Sequence, residues 1–228
     1  MVNVYASSNP AMNEPLTGVV VAGGLSRRMG QDKRRLKLWG VDGPTLLEHS
    51  VDLLARVCAE VIVVLNDAAA WPQLHTSATS ARIVGDVYPD GGALGGIYSG
   101  LASAQHAHAL VVAADMPLLN LDLLRWMSVQ PRDYDVLVPR LADASQARNK
   151  LGVESLHAIY SRACLEPMAR QLDAGNPQVI GFFAAVRVSF IEPATIAQFD
   201  PAGNAFRNVN TPAELEAVRQ VLAQSAVE

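Results

Sequence analysis

The sequence predicts an α/β fold: a three-layer α/β/α domain built on a Rossmann-like, mostly parallel sheet. Three observations carry this. Half of the 228 residues are apolar and only 6% are aromatic, which suits a sheet covered by helices. Apolar runs of strand length recur, and they are continuous rather than alternating, as in strands buried on both faces. Helical patterns fall between these runs, and strand–helix alternation implies parallel strands joined by right-handed crossovers.

The elements follow in chain order. Residues 1–16 are polar and rich in small residues and lack the basic start and apolar centre of a signal peptide, so a loose tail is expected. Residues 18–22 form the first strand run. Residues 45–58 read as a helix, with Leu46, Leu47, Leu54 and Val57 on one side and Glu48 and Asp52 interleaved. Further strands are read at 61–65, 82–85, 109–114, 136–138 and 186–191. Further helices are read at 94–104, 121–129, 162–174 and 212–223. Thr211, Pro212 and Glu214 form a helix start, with Thr as N-cap, Pro at N1 and Glu at N3. The polar stretch 140–150 reads as a mobile loop near the site. With no internal repeat and no low-complexity linker, residues 17–228 are expected to form one domain.

Composition narrows the function. A net charge of −4 argues against a general nucleic-acid surface. No apolar run approaches the ~20 residues of a membrane span. Cys58 and Cys164 lie far apart and form neither a metal pair nor a disulfide framework, so they read as buried thiols in a reducing cytoplasm. His106 and His108 have no third ligand nearby and are expected at the surface. His49 and His75 have no evident partner.

Against this acidic background, six cations (Arg27, Arg28, Lys33, Arg34, Arg35 and Lys37) crowd eleven positions that contain one acid, Asp32. They follow Gly23-Gly24 at the end of the first strand. Such a stretch suits a small phosphate-bearing ligand. The glycine spacing is neither the dinucleotide fingerprint nor a Walker P-loop. Glycines there would let backbone N–H groups approach a phosphate or a base edge, with Arg28 and Lys33 adding charge-assisted contacts. Arg27, Arg34, Arg35 and Lys37 are expected to be solvated or to face an acceptor.

In an open parallel sheet the ligand lies at the carboxyl ends of the strands. Gly23-Gly24, Asn66-Asp67, Asp86 and Asp115 occupy those ends. Asp115 closes a buried apolar run and should face water, a donor or a metal; capping the helix after Pro117 is its other reading. Asp86 could accept hydrogen bonds from a guanine edge or brace the glycine turn that follows it. Asn208 and Asn210 flank Val209, and alternation would turn both amides to one face. They either complete a phosphate or metal shell or form a hydrogen-bonded turn.

The run Val21-Ala22-Gly23-Gly24-Leu25-Ser26-Arg27-Arg28-Met29-Gly30-Gln31-Asp32-Lys33 resembles the LAGGxSxRMGxDK signature of the MobA-like nucleotidyltransferases, and most nearly that of the molybdenum cofactor guanylyltransferases. Further resemblances follow in the family's order: Asp86 with the turn Gly91-Gly92-Ala93-Leu94-Gly95-Gly96-Ile97, then Ala114-Asp115-Met116-Pro117, Leu156-His157-Ala158-Ile159-Tyr160, and Asn208-Val209-Asn210-Thr211-Pro212. Together they cover residues 18–220. This chain departs from the pattern at Val21 for Leu, at Ala93 for the Pro of a GPL turn, and at Ala114 for Cys.

The resemblance implies a nucleotide-diphospho-sugar transferase type of fold. It also implies Mg²⁺-dependent transfer of GMP from GTP to the phosphate of molybdopterin, with release of pyrophosphate. It assigns catalysis to Lys33, Asp115 and Arg28. Nucleotide binding falls to Val21, Ala22, Gly23, Gly24, Lys33, Asn66, Asp86 and Asp115, and the metal to Asp115. Asn208, Asn210 and His157 fall to an outer or acceptor position. Gly23 of the Gly23-Gly24 pair implies guanine, because related cytidylyltransferases more often read LAAG here, with Ala in place of Gly23. Transient contacts with proteins that deliver molybdopterin or mature molybdoenzymes are implied too. Other nucleotidyl transfers on the same fold (to a sugar phosphate or phospholactate), or a non-enzymatic GTP-binding module, are the alternatives.

Overall fold

In the computed structural model the described residues are 14–23, 32–71, 74–76, 80–147 and 149–225. The tail expected at 1–16 thus lies mostly outside them, as do Gly24, Arg27 and Arg28.

The strands are β1 (Leu16–Val21), β2 (Glu60–Leu65), β3 (Leu74–His75), β4 (Ser80–Gly85), β5 (His108–Ala113), β6 (Val136–Pro139), β7 (His157–Ser161) and β8 (Val188–Ile191). They form one sheet in the order β3-β4-β2-β1-β5-β7-β6-β8. The β1–β2, β1–β5, β2–β4 and β6–β8 pairs are parallel. The central strands are buried on both faces, as their continuous apolar runs require. Val20, Val63 and Val112 face one core, and Val19, Val64 and Val111 face the other. Helices α1 (Leu46–Ala55) and α3 (Leu121–Ser128) cover the first face; α2 (Gly92–Ser103) and α4 (Leu165–Asp173) cover the second. The short α5 (Pro193–Ile196) precedes α6 (Pro212–Ser225), whose Leu215 and Val218 pack with Val209 in a small third cluster. No helix among the described residues is long and apolar enough to cross a membrane.

Local chemistry explains the helix starts. Thr45 and Glu48 form a reciprocal capping box on α1. Thr211 and Glu214 form another on α6, with Pro212 at the first helical position, as expected. The residues that a helix needs for close approach are also present: a Cβ on Gly96 of α2 would lie 2.6 Å from Val21 Cγ1, so glycine lets α2 rest directly on β1.

The sheet is mostly parallel, as expected; the main exception is β7, which runs antiparallel to both β5 and β6. Residues 140–156 supply no crossover helix, and without one the chain can only return in the opposite direction. The short β3, antiparallel on β4, has no apolar run to announce it. The strand read at 186–191 begins at Val188, because Val186 N–H still bonds to Phe183 O in the preceding 3₁₀ stretch. The helix read at 162–174 opens as a 3₁₀ turn over Arg162–Cys164.

His108 is not at the surface. It opens β5 in register with Leu16 and Ser161, is buried, and packs edge-on to Tyr134. Both cysteines are free, and burial pushes each thiol up to about 12.

His157 is fully buried on β7, with its ring edge-on to Phe206 at 5.0 Å. Neither ring nitrogen has a hydrogen-bond partner. Burial holds the imidazole neutral and pulls its pKa down to about 4. An unfolded chain therefore takes up a proton near pH 6.5 that the folded chain refuses until about pH 4. Stability is complete above pH 6.5 and falls as the pH drops through this window. By pH 5 the loss from this one group is ~2 kcal/mol. His157→Leu is therefore expected to narrow the gap between melting temperatures at pH 8 and pH 5. An unchanged gap would mean that the imidazole is not buried neutral.

Candidate functional site

The site forms where the sheet's chain order reverses. The Ala22 N–H bonds to Val64 O at 3.0 Å, Asp86 N–H to Leu65 O at 3.2 Å, and Ala114 N–H to Val21 O at 3.1 Å. These bonds bring the carboxyl ends of β1, β2, β4 and β5 level with one another. From β1 the chain moves to β2 and β4 on one side, then returns to β5 on the other. Loops leaving β1 and β5 diverge there and leave a crevice.

Lys33 bridges that crevice. Its Nζ lies 2.6 Å from Asp115 Oδ2 and 3.0 Å from Asn210 Oδ1. The lysine and aspartate side chains are only 14% and 13% exposed. The partners meet because three loops are pinned. Lys33 opens the 3₁₀ turn Lys33–Arg35, capped by Asp32. Asp115 lies two residues past the end of β5. The 208–210 segment is held by a 2.9 Å bond from Val209 N–H to Asp115 O, with the Val209 side chain buried. Burying Val209 turns its neighbours outward: Asn210 meets Lys33, and Asn208 lines the adjoining pocket. The segment is thus both a turn before α6 and a source of two site amides. Asp115 does not cap the following helix, since Asn120 does so at 2.9 Å from the Leu123 N–H.

On the other side of β1, Gly23 lies against Asn66. A Cβ there would sit 2.6 Å from Asn66 Oδ1, so glycine is what allows the two loops to touch. Val21 is half-buried at the end of β1, and Ala22 is buried with its N–H committed to β2. Asp86 braces the glycine turn: its Oδ1 accepts from Ser99 Oγ at 2.8 Å and from the Tyr88 N–H at 3.0 Å. Burial pushes this carboxyl above the usual range, against the pull of those two donors.

The basic run is not a uniform anion trap. Arg34 is bound to Asp32 and Asp67 and is neither solvated nor facing an acceptor. Two carboxylates within reach of a guanidinium outcompete water. The Arg35 guanidinium stacks over Trp71 at 4.1 Å, and Lys37 Nζ donates to Val41 O. Of the four described cations in the run, Lys33 is the one at the crevice.

A pocket of about 460 Å³ opens beside Asp115. Asn149, Lys150, Glu154, Gln178 and Asn208 give it polar character, and Val153 and Val179 give it apolar walls. The 140–150 loop expected near the site does contribute, through Asn149 and Lys150. Periodicity could not reveal Glu154 and Gln178, because they sit in irregular segments. His157 does not reach this lining: strand alternation turns it to the opposite face of the sheet, into the core beneath Phe206.

Among the described residues no group of three or more His, Cys, Asp or Glu could hold a metal on its own. The donor set is one carboxylate, Asp115, with the amides of Asn208 and Asn210 on the same segment of the crevice. That set fits a hard divalent cation of the Mg²⁺ kind, which takes one or two carboxylates and completes its shell with phosphate oxygens and water. It does not fit zinc, which seeks nitrogen or sulfur ligands.

Comparison with known proteins gives the family and the fold. Residues 18–187 match the MobA-like NTP transferase domain. A protein of Chloroflexus aggregans named "Probable molybdenum cofactor guanylyltransferase" is 40% identical over 212 residues, covering 93% of this chain and 97% of that protein. The molybdenum cofactor guanylyltransferase of Desulfosudis oleivorans is 32% identical, covering 89% and 94%. Among solved structures, molybdopterin-guanine dinucleotide biosynthesis protein A from Archaeoglobus fulgidus superposes with a TM-score of 0.72 at 19% identity, covering 92% of this chain and all of that one. The structural likeness supports the fold. The sequence match, running from β1 to the residue before β8, makes this chain a member of the MobA-like NTP transferase family.

Proposed function

We propose that the protein transfers GMP from GTP to the phosphate of molybdopterin and releases pyrophosphate. The observation that carries this reading is the Lys33–Asp115–Asn210 cluster at the switch point, with a polar pocket opening beside it. The crevice side bearing Gly23 and Asn66 would take the nucleotide, and the pocket bearing Lys150 and Gln178 would take the acceptor. An acceptor phosphate oxygen attacks the α-phosphorus, and the bond to the β-phosphate oxygen breaks. This chain's residues position the partners and balance charge, which is where catalysis of such a step lies. Lys33 would neutralise the triphosphate, and Arg28, outside the described residues, would assist it. Asp115, with Asn208 and Asn210, would hold Mg²⁺. When bound, that ion would offset charge on the phosphate oxygens around the reacting phosphorus.

On this reading residues 17–228 work as one nucleotidyltransferase domain in the cytoplasm. It would meet molybdopterin-delivering and molybdoenzyme-maturation proteins transiently, and neither nucleic acid nor membrane. The deciding experiment is pyrophosphate release from GTP with and without molybdopterin: release only with the acceptor is expected, and none in either case overturns the reading. Base choice has its own test. With Mg²⁺ present, GTP should bind more tightly than CTP or ATP by calorimetry, as the resemblance of Val21-Ala22-Gly23-Gly24 to the guanylyltransferase pattern implies. Equal affinities would remove guanine from the assignment.

A further inference from the structure

Lys33 can act at the crevice only if the turn beneath it stays put. A lysine side chain is long and flexible, so its amine is placed by its backbone and by its neighbours. The next residue, Arg34, shows how the placement is made. Its Nε and Nη2 each donate to Asp32 at 2.8 Å, and its Nη1 and Nη2 donate to Asp67 at 2.6 and 2.9 Å. Asp32 Oδ1 also caps the turn by accepting from the Arg34 N–H at 3.0 Å. The Arg34 side chain is only 14% exposed. The Arg34 guanidinium lies 5.2 Å from the centre of the Trp71 ring, which also carries Arg35.

The two carboxylates belong to different parts of the site. Asp32 caps the turn that carries Lys33. Asp67 follows Asn66, the residue seated against Gly23. Arg34 therefore ties the loop at the phosphate side of the crevice to the loop at the other side of β1. Its fork is spent on both carboxylates at once, so it has little left to offer a phosphate. Only a planar guanidinium can engage two carboxylates in this way; an ammonium cannot.

We propose that Arg34 is a positioning residue: it locks the Lys33 turn onto the Asn66–Asp67 loop, and so holds the Lys33 amine in place at Asp115. This rests on the role given to Lys33 above. A misplacement of ~1 Å at a catalytic group can cost ~10²-fold in rate, which sets the scale of the effect.

The test is a double-mutant cycle of Arg34→Met with Lys33→Ala, read in turnover and in calorimetric affinity for Mg²⁺–GTP, below the melting temperature of every variant. Arg34→Met is expected to lower kcat by ~10- to 100-fold when Lys33 is present. In the Lys33→Ala background it should change kcat and GTP affinity by less than about twofold, because nothing remains to be positioned. The same fold-loss in both backgrounds, or wild-type kinetics for Arg34→Met, would overturn the proposal. Arg34→Lys and Asp67→Asn run the same cycle with smaller disturbance, should Arg34→Met fail to fold. Arg34→Lys should recover the melting temperature but only part of the turnover; full recovery of both would show that a charge suffices and that the fork holds nothing. If the wild-type protein transfers no GMP, the proposed function fails by itself, and the GTP-affinity arm of the cycle still decides the role of Arg34.

Discussion

Asp115→Asn should keep the fold and lose transfer activity by ~10²–10³-fold, the usual cost of removing one electrostatic contact to a transition state. The substitution keeps the side-chain shape and keeps an oxygen that can accept from Lys33. What it removes is the one carboxylate in the donor set at the crevice. An amide is a poor substitute for a carboxylate toward a divalent cation, so the variant should also need more Mg²⁺ to reach half-maximal rate. The backbone around residue 115 should be undisturbed, since the Val209 N–H bonds to its carbonyl rather than to its side chain. Steady-state rates over a range of Mg²⁺ concentrations, beside a thermal melt, decide the matter. Activity within about threefold of wild type would mean that Asp115 serves only as the counter-charge of Lys33.

Much of this arrangement is legible in the sequence. Continuous apolar runs announced strands buried on both faces, because a two-sided strand has no polar face to show. Glycine, aspartate and asparagine at the ends of those runs marked the crevice, because loops at the carboxyl edge carry the polar groups. The Thr211–Glu214 box was readable because capping is local chemistry. What could not be read is long-range pairing. Arg34 reads as a solvated or acceptor-facing cation of the basic run, and Asp67, thirty-three residues away, joins Asp32 in holding it instead. His157 sat inside a motif resembling the family's and so suggested the acceptor; the register of β7 against β5 buries it instead. Asp86 left two roles open in the sequence, and Ser99, one helical face away on α2, reveals the bracing one. The pocket residues Glu154 and Gln178 belong to segments with no period, and only the path of the chain brings them to Asp115.

Lys33→Ala should impair transfer whatever the acceptor, because the lost contact is to the donor's phosphates. A lysine on a loop after a glycine-rich run would be expected to have little stability to lose on substitution. The structure changes that expectation. Lys33 Nζ sits on Asp115 and Asn210 in a site from which most water is excluded. Removing it leaves a partly buried carboxylate without its cation. The cost lies between that of an exposed pair and that of a fully buried one, about 1–3 kcal/mol. For a protein of this size that is a fall in Tm of roughly 3–10 °C, with folding retained. The kinetic pattern then separates two roles. If the ammonium acts mainly on charge that develops on the departing pyrophosphate, kcat falls; if it only binds GTP in the ground state, KM rises. Both should change, with kcat falling by ~10²-fold or more and KM rising less, because the lysine lies at Asp115, next to the reacting phosphorus in the proposed arrangement. The Mg²⁺ dependence should separate this variant from Asp115→Asn. Lys33→Ala frees the carboxylate from its competitor and should need no more Mg²⁺ than wild type, whereas Asp115→Asn should need more. Wild-type kinetics for Lys33→Ala, or a collapsed melt, would each show that the triphosphate has been assigned to the wrong residue.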